Sequence, residues 1–191
     1  KLQKDASYRK QFKKIFRTSF ISPEHVLKAL AQFTGTLTSA NSKYDRYKKG
    51  TASYTAQEED GYQLFLTHCN SCHKEPLFTD YSLRNIGLPV ESFLNDYGKL
   101  MLTKDPSDSL KFKVPTLRNV YISSNYMHDG RFNTLAQCIN HYRTGVQQST
   151  TLDPQLTNGI QLTDAEAINI ALFLRTLTDS TFLQDTRYSK P

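Results

Sequence analysis

Apolar residues return at helical spacing in five stretches of the chain, and between them the period is lost. From 5 to 17, Tyr8, Phe12, Ile15 and Phe16 stand among charges on one helical stripe, which predicts an amphipathic helix that needs a partner to pack on. Ser22 as N-cap and Pro23 at the first helical position announce a second helix, with Val26, Ala29, Leu30, Phe33 and Leu37 on its stripe. From Thr38 to Ser53 the apolar period disappears, and a run ending in Lys48-Lys49-Gly50 predicts a linker dividing the chain into residues 1–50 and 51–191. Thr55 and Glu58 form a capping box at the head of a third helix, whose stripe is Tyr62, Phe65, Leu66 and Cys69.

About sixty residues after His73 show little period and carry several Pro, Gly, Asn and Asp, the pattern of a long loop that carries function or wraps around a cofactor. Thr134 and Gln137 make another capping box, opening a helix with Leu135, Cys138, Ile139 and Tyr142 on one face and Gly145 as its stop. Thr163 and Glu166 open the last helix, with Ala167, Ile168, Ala171, Leu172 and Leu174 as its apolar face. The elements are all helical, so the expected fold class is all-α.

Composition narrows the class. A hydrophobic fraction of 38%, 11 Tyr and 11 Phe with no Trp, and only 8 Gly and 7 Pro describe a folded globular chain of 191 residues. No apolar run approaches the ~18–20 residues that cross a bilayer, so no membrane span is expected. The net charge of +6 is modest and spread over helix-like patterns, which gives no reason to expect nucleic acid. The chain begins without Met or a signal-like apolar segment and is read as a mature or truncated piece.

The chemistry gathers in Cys69-Asn70-Ser71-Cys72-His73. Two thiols at this spacing can form thioethers to the vinyl groups of one haem, and the imidazole beside them can reach its iron, which is the attachment signature of a c-type haem. Half a zinc site or a redox dithiol would use the same residues. Zinc requires four ligands, and the remaining cysteine, Cys138, stands alone on the inner stripe of its helix, where it serves as a small apolar residue. Covalent haem is attached on the oxidising side of a membrane, which points to the periplasm.

With His73 as one axial ligand, the sixth iron position decides the chemistry: Met gives a high-potential electron carrier, Tyr an anionic ligand that favours ferric iron. Met127, His128, His141 and Tyr142 are the downstream candidates. Residue type favours Met127, whereas periodicity favours Tyr142, which shares the buried face of a well-capped helix. His141 is expected to be exposed or hydrogen-bonded, and His25 and His68 to be structural.

The stretches CNSCH (69–73), FTDYSLRNIGLP (78–89), FKVPTLRNVYISSNYMHDGRFNTLAQCINHY (112–142) and LTDAEAINIALFLRTLT (162–178) resemble the C-terminal haem domain of bacterial di-haem cytochrome c peroxidases and their relative MauG. Residues 1–50 resemble the last helices of that family's N-terminal domain. The resemblance implies a cytochrome c-like haem domain with long irregular loops, preceded by two helices of a truncated N-terminal domain. In the peroxidases the distal ligand is a Met fourteen positions after the His of an HDG motif, and in MauG it is a Tyr; counting from His128 arrives at Tyr142. Met127 becomes the alternative.

The resemblance further implies a calcium ion held through carbonyls near Ser123 and Asn125, a haem propionate paired with Arg118, and a loop between haems supported by His128. The family's second, peroxide-reacting haem has its own Cys-x-x-Cys-His and a bridging Trp, whereas this chain has one such motif and no Trp. The expected function is therefore the electron-relay half of an exported peroxidase that reduces hydrogen peroxide to water, with its catalytic site outside this chain. The alternatives are MauG-like oxidation of a protein side chain and a mono-haem electron-transfer cytochrome. Expected partners are an electron-donor cytochrome or other small redox protein, the N-terminal haem domain and, as a candidate, a second copy in a homodimer.

Overall fold

A computed structural model of the chain describes residues 1–188; the last three, which the reading above includes in the haem domain, lie outside the described residues. The contacts divide the chain into two compact units, one from Lys1 to Ser39 and one beginning at Ala40.

In the first unit, α1 (Ala6–Phe16) is capped by Asp5, whose carboxylate accepts from the Ser7 and Tyr8 amides, and α2 (Pro23–Thr36) is capped by Ser22. Gln3 ties the connection by donating to the Ser19 carbonyl and accepting from the Ile21 amide. Phe16 stacks on His25 with ring centroids 4.5 Å apart. Neither helix contains a buried residue, and Ile15, Leu27, Leu30 and Phe33 stand more than half exposed, so the predicted stripes are present as apolar surfaces.

The second unit is all-α apart from one pair of two-residue strands. The compact division falls inside the stretch expected to be a linker, and part of that stretch is helix α3 (Lys43–Lys48). Six residues are too short to display a hydrophobic period, but Ser42 and Asp45 form a reciprocal capping box that starts it. Tyr44 then buries to 2% exposure, and its amide donates to the Thr176 carbonyl.

Helix α4 (Ala56–His68) starts at the Thr55–Glu58 capping box, and the closing helix α7 (Asp164–Arg175) at the Thr163–Glu166 box. They cross in direct backbone contact at Gly61, where a Cβ would lie 1.9 Å from the Asn169 carbonyl oxygen. That approach packs Tyr44, Tyr62, Phe65, Phe78 and Phe173 into one aromatic cluster, with Phe65 and Phe173 fully buried. Helix α7 buries Ile170, Phe173 and Leu174, with Leu177 just beyond its end, while Ile168 is 57% exposed. The expected face is therefore rotated, because α4 abuts the side carrying Asn169 and Phe173.

Between His73 and Thr134 regular structure is limited to β1 (Leu83–Arg84), β2 (Phe112–Lys113), α5 (Leu100–Thr103) and short 3-10 turns. The strands pair antiparallel with Leu83 opposite Lys113 and Arg84 opposite Phe112. Side-chain to backbone bonds do the rest: the Thr79 hydroxyl donates to the Val114 carbonyl and the Thr116 hydroxyl to the Leu77 carbonyl, each at 2.6 Å. Helix α6 (Leu135–Asn140) begins at the Thr134–Gln137 box and runs into a π turn, His141–Gly145. Helix α8 (Ser180–Leu183) follows, capped by Asp179, and no helix among the described residues is long and apolar enough to cross a membrane.

The crossing yields a prediction. Gly61→Ala drives a methyl into the α7 backbone, so urea unfolding should show a loss of about 3 kcal/mol, the upper end of overpacking costs, whereas Gly35→Ala, with open space around it, should leave stability nearly unchanged.

Candidate haem site

The end of α4 forms the site. Cys69 is the C-cap, and its carbonyl accepts from the amides of Cys72 (3.2 Å) and His73 (2.9 Å), curling the five-residue motif into a tight turn. Cys69, Cys72 and His73 all line one cavity of about 430 Å³, within the ~300–1,000 Å³ usual for ligand and cofactor pockets. Phe65, Ile139, Ile170 and Leu174 belong both to the core cluster and to the cavity wall. The loops add Ile86, Val114, Leu117, Leu156 and Ile160, so the wall is apolar on nearly every side.

The His73 tautomer follows from its partners. Nδ1 lies 3.1 Å from the Phe78 carbonyl and 3.2 Å from the Pro115 carbonyl. Carbonyls only accept, so Nδ1 carries the proton and Nε2 keeps its lone pair, the form in which histidine binds a metal. Burial holds the imidazole pKa below its ordinary value, against the two carbonyl bonds that raise it, and so favours the neutral ring. Burial also pushes the Cys69 thiol up to about 12 and raises that of Cys72. No cluster of three or more metal-holding His, Cys, Asp or Glu, as a zinc site would need, occurs among the described residues.

Tyr142 enters the cavity from the first residues of the π turn, a distortion often found at functional positions in helices. Its carbonyl accepts from the Ile160 amide at 2.7 Å, which anchors the turn. Burial raises its phenol above the ordinary range, and no hydrogen bond to its hydroxyl is formed by any described residue. Its hydroxyl is left to bond a group held inside the cavity, and a cation at His73 Nε2 is one such group.

Met127 and His128 line the same cavity. Met127 has a left-handed backbone, φ 69°, and His128 stacks on Phe112 with centroids 3.6 Å apart. His141 does not line the cavity; it is 5% exposed and its Nε2–H donates to the Ile86 carbonyl at 3.0 Å. Cys138 is buried as expected and donates weakly to the Thr134 carbonyl.

Three comparisons bear on this site. A family model described as di-haem cytochrome c peroxidase matches residues 1–53. The methylamine utilization protein MauG of Paracoccus denitrificans is 31% identical over 227 residues, covering 94% of this chain and 59% of that protein. The cytochrome c551 peroxidase of Nitrosomonas europaea is 35% identical over 69% of this chain and 41% of its own length. The chain belongs to the di-haem cytochrome c peroxidase and MauG family.

A solved family structure, a MauG-like protein associated with microbial copper homeostasis, superposes with a TM-score of 0.83 at 29% identity, covering all of this chain and 63% of that one. The chain thus spans roughly half the length of the curated relatives named here. Family membership implies c-type haem, and the residues fit it: two thiols, an imidazole with a free Nε2 and an unpartnered phenol share one apolar cavity.

Two arginines on the cavity wall are held in ion pairs, and the partners of the second were missed. Arg118 lines the cavity, but its guanidinium binds Asp45 bidentately at 2.9 and 3.0 Å and donates to the Pro76 carbonyl. It clamps α3 to the loop after the haem motif. Burial raises the Asp45 pKa, yet the bonds from Arg118 and Ser42 outweigh it and hold the carboxyl below its ordinary value. Arg84, with Asp80 and Asp153, forms an ion cluster that reaches the cavity wall. Arg84 and Asp80 at i, i+4 were visible as a pair, but Asp153 lies 69 residues away and carries no local signal.

Arg118→Gln leaves the Asp45 carboxylate, 11% exposed, without its cation. Denaturant unfolding should register a loss of about 3 kcal/mol, as for other broken buried pairs, and pairing it with Asp45→Asn should recover part of that loss.

Proposed function

We propose that the parent protein is an exported di-haem oxidoreductase that reduces hydrogen peroxide to water with electrons from a donor protein, and that this chain carries its electron-relay haem. The observation that supports this most is the meeting of Cys69, Cys72, His73 and Tyr142 in one apolar cavity. Cys69 and Cys72 would hold the haem through thioethers, and His73 Nε2 and Tyr142 would ligate its iron, with Met127 as the alternative to Tyr142. When bound, the haem supplies one-electron chemistry at its iron. The carbonyls of Phe78 and Pro115 fix the ring and tautomer of His73 and raise its basicity as a ligand. The apolar walls exclude water, and α6 with its π turn sets the depth of Tyr142.

The peroxide-reacting haem is assigned to the part of the relatives that this chain does not span, and with it the catalytic residues. The periplasm is the proposed compartment, because covalent c-type haem is attached on the oxidising side of a membrane. The proposed calcium site uses carbonyls near Ser123 and Asn125, exposed residues that also line the cavity. His128 supports the loop facing the second haem, braced by its stack on Phe112. A small redox protein is the proposed donor, and a homodimer the proposed assembly.

Tyr142 favours a second reading, MauG-like oxidation of a protein side chain, because an anionic ligand stabilises oxidised iron. Full-length protein given peroxide separates the two: rapid oxidation of a reduced cytochrome supports the peroxidase, and a covalently altered protein product supports the other.

A pyridine haemochrome spectrum of this chain should show one c-type haem, and Tyr142→Phe should change the ferric spectrum from six-coordinate to a form with a lost or exchanged ligand. A ferric spectrum that stays six-coordinate and unchanged in that variant would refute the Tyr142 assignment.

A further inference from the structure

Arg84, the second residue of β1, sits between two carboxylates. Its Nη1 donates to Asp153 at 2.6 Å, its Nη2 to Asp80 at 2.8 Å, and its Nε to the Ser82 hydroxyl at 2.8 Å. The side chains of Arg84, Asp80 and Asp153 are 22%, 10% and 9% exposed, so the cluster is largely out of water. Asp80 also accepts from the amide and hydroxyl of Ser82, and Asp153 from the Gln155 amide. Two carboxylates around one guanidinium leave one net negative charge.

Its place gives that charge something to act on. Arg84 and Asp153 line the cavity together with Cys72 and His73, and they also line an open cleft of about 450 Å³. The cluster is thus a charged wall between solvent and the motif end of the cavity. Burial dominates the pKa shifts of Cys72 and His73, and the charges of Arg84 and Asp80 act on both groups in addition.

We infer that the Asp80–Arg84–Asp153 cluster positions a net negative charge that biases the iron at this site toward its ferric state. Reduction removes one positive charge from the iron, so a fixed anion in a poorly screened wall favours the oxidised form. Tyr142 acts in the same direction from its own side of the cavity. The inference rests on the reading that Cys69, Cys72 and His73 hold a haem, and it adds residues that are not ligands.

The test is a spectroelectrochemical titration of the haem-loaded chain. Asp153→Asn and Asp80→Asn each remove one charge while keeping an oxygen for the Gln155 or Ser82 amide. At the potential where the wild type is half reduced, each should raise the ferrous-to-ferric ratio by about tenfold, a one-electron shift of about +59 mV. Arg84→Lys, which keeps the charge, should stay at the wild-type potential, as should Asp164→Asn, an exposed carboxylate paired with Arg143.

The sign separates this role from a merely structural one. If the variants only breached the wall and let cleft water hydrate the ferric iron, the potential would fall. Unmoved or lowered potentials in both Asn variants overturn the inference, and so does an Arg84→Lys shift as large as theirs. A wild-type chain without a haemochrome signal would instead overturn the reading beneath it.

Discussion

The second unit depends on one close approach, the backbone contact of α4 and α7 at Gly61. Only a residue without a Cβ lets the two helices meet this tightly, and the contact brings Tyr62, Phe65 and Phe173 into one aromatic cluster. Phe65, Ile170 and Leu174 then turn from core into cavity wall. The cavity is therefore an extension of the core rather than a dent in the surface, and the haem motif lies at its edge because it follows directly from α4.

Around that frame the long irregular segment is ordered without secondary structure. Thr79, Thr116 and Asn85 bond backbone or side-chain groups far along the chain, and Arg118 bridges Pro76 and Asp45. The bonds to Leu77, Val114 and Pro76 satisfy backbone carbonyls that a ladder would otherwise pair. The same economy serves His73, whose ring is oriented by two loop carbonyls. The loops put two carbonyls on His73 and apolar side chains on the cavity wall.

Charge is handled in two ways on the cavity wall. Arg118 is neutralised by a single carboxylate and acts as a clamp, whereas Arg84 is over-compensated by two. Both guanidiniums are largely buried, so neither arrangement is a solvated surface pair, and the difference between them lies in the field they leave behind.

The sequence by itself determined what depends on neighbours a few residues apart. Capping boxes at Thr55, Thr134 and Thr163 are readable because a hydroxyl and a carboxylate or amide three positions on satisfy each other within one turn. The Cys-x-x-Cys-His motif is readable because one porphyrin edge sets the thiol spacing, and the cavity-facing place of Tyr142 because the helical period carries it onto the face of Cys138 and Ile139. Helix α3 was missed although Ser42 and Asp45 carried its cap, since six residues cannot show a period. Only the tertiary structure decided that Ile168 faces outward, that His141 turns into the wall, that Arg118 serves Asp45, and that Asp153 joins Arg84 across 69 residues. The physical reason is the same in each case: a side chain's partner across the fold is selected by packing, and packing joins residues whose separation along the chain carries no signal.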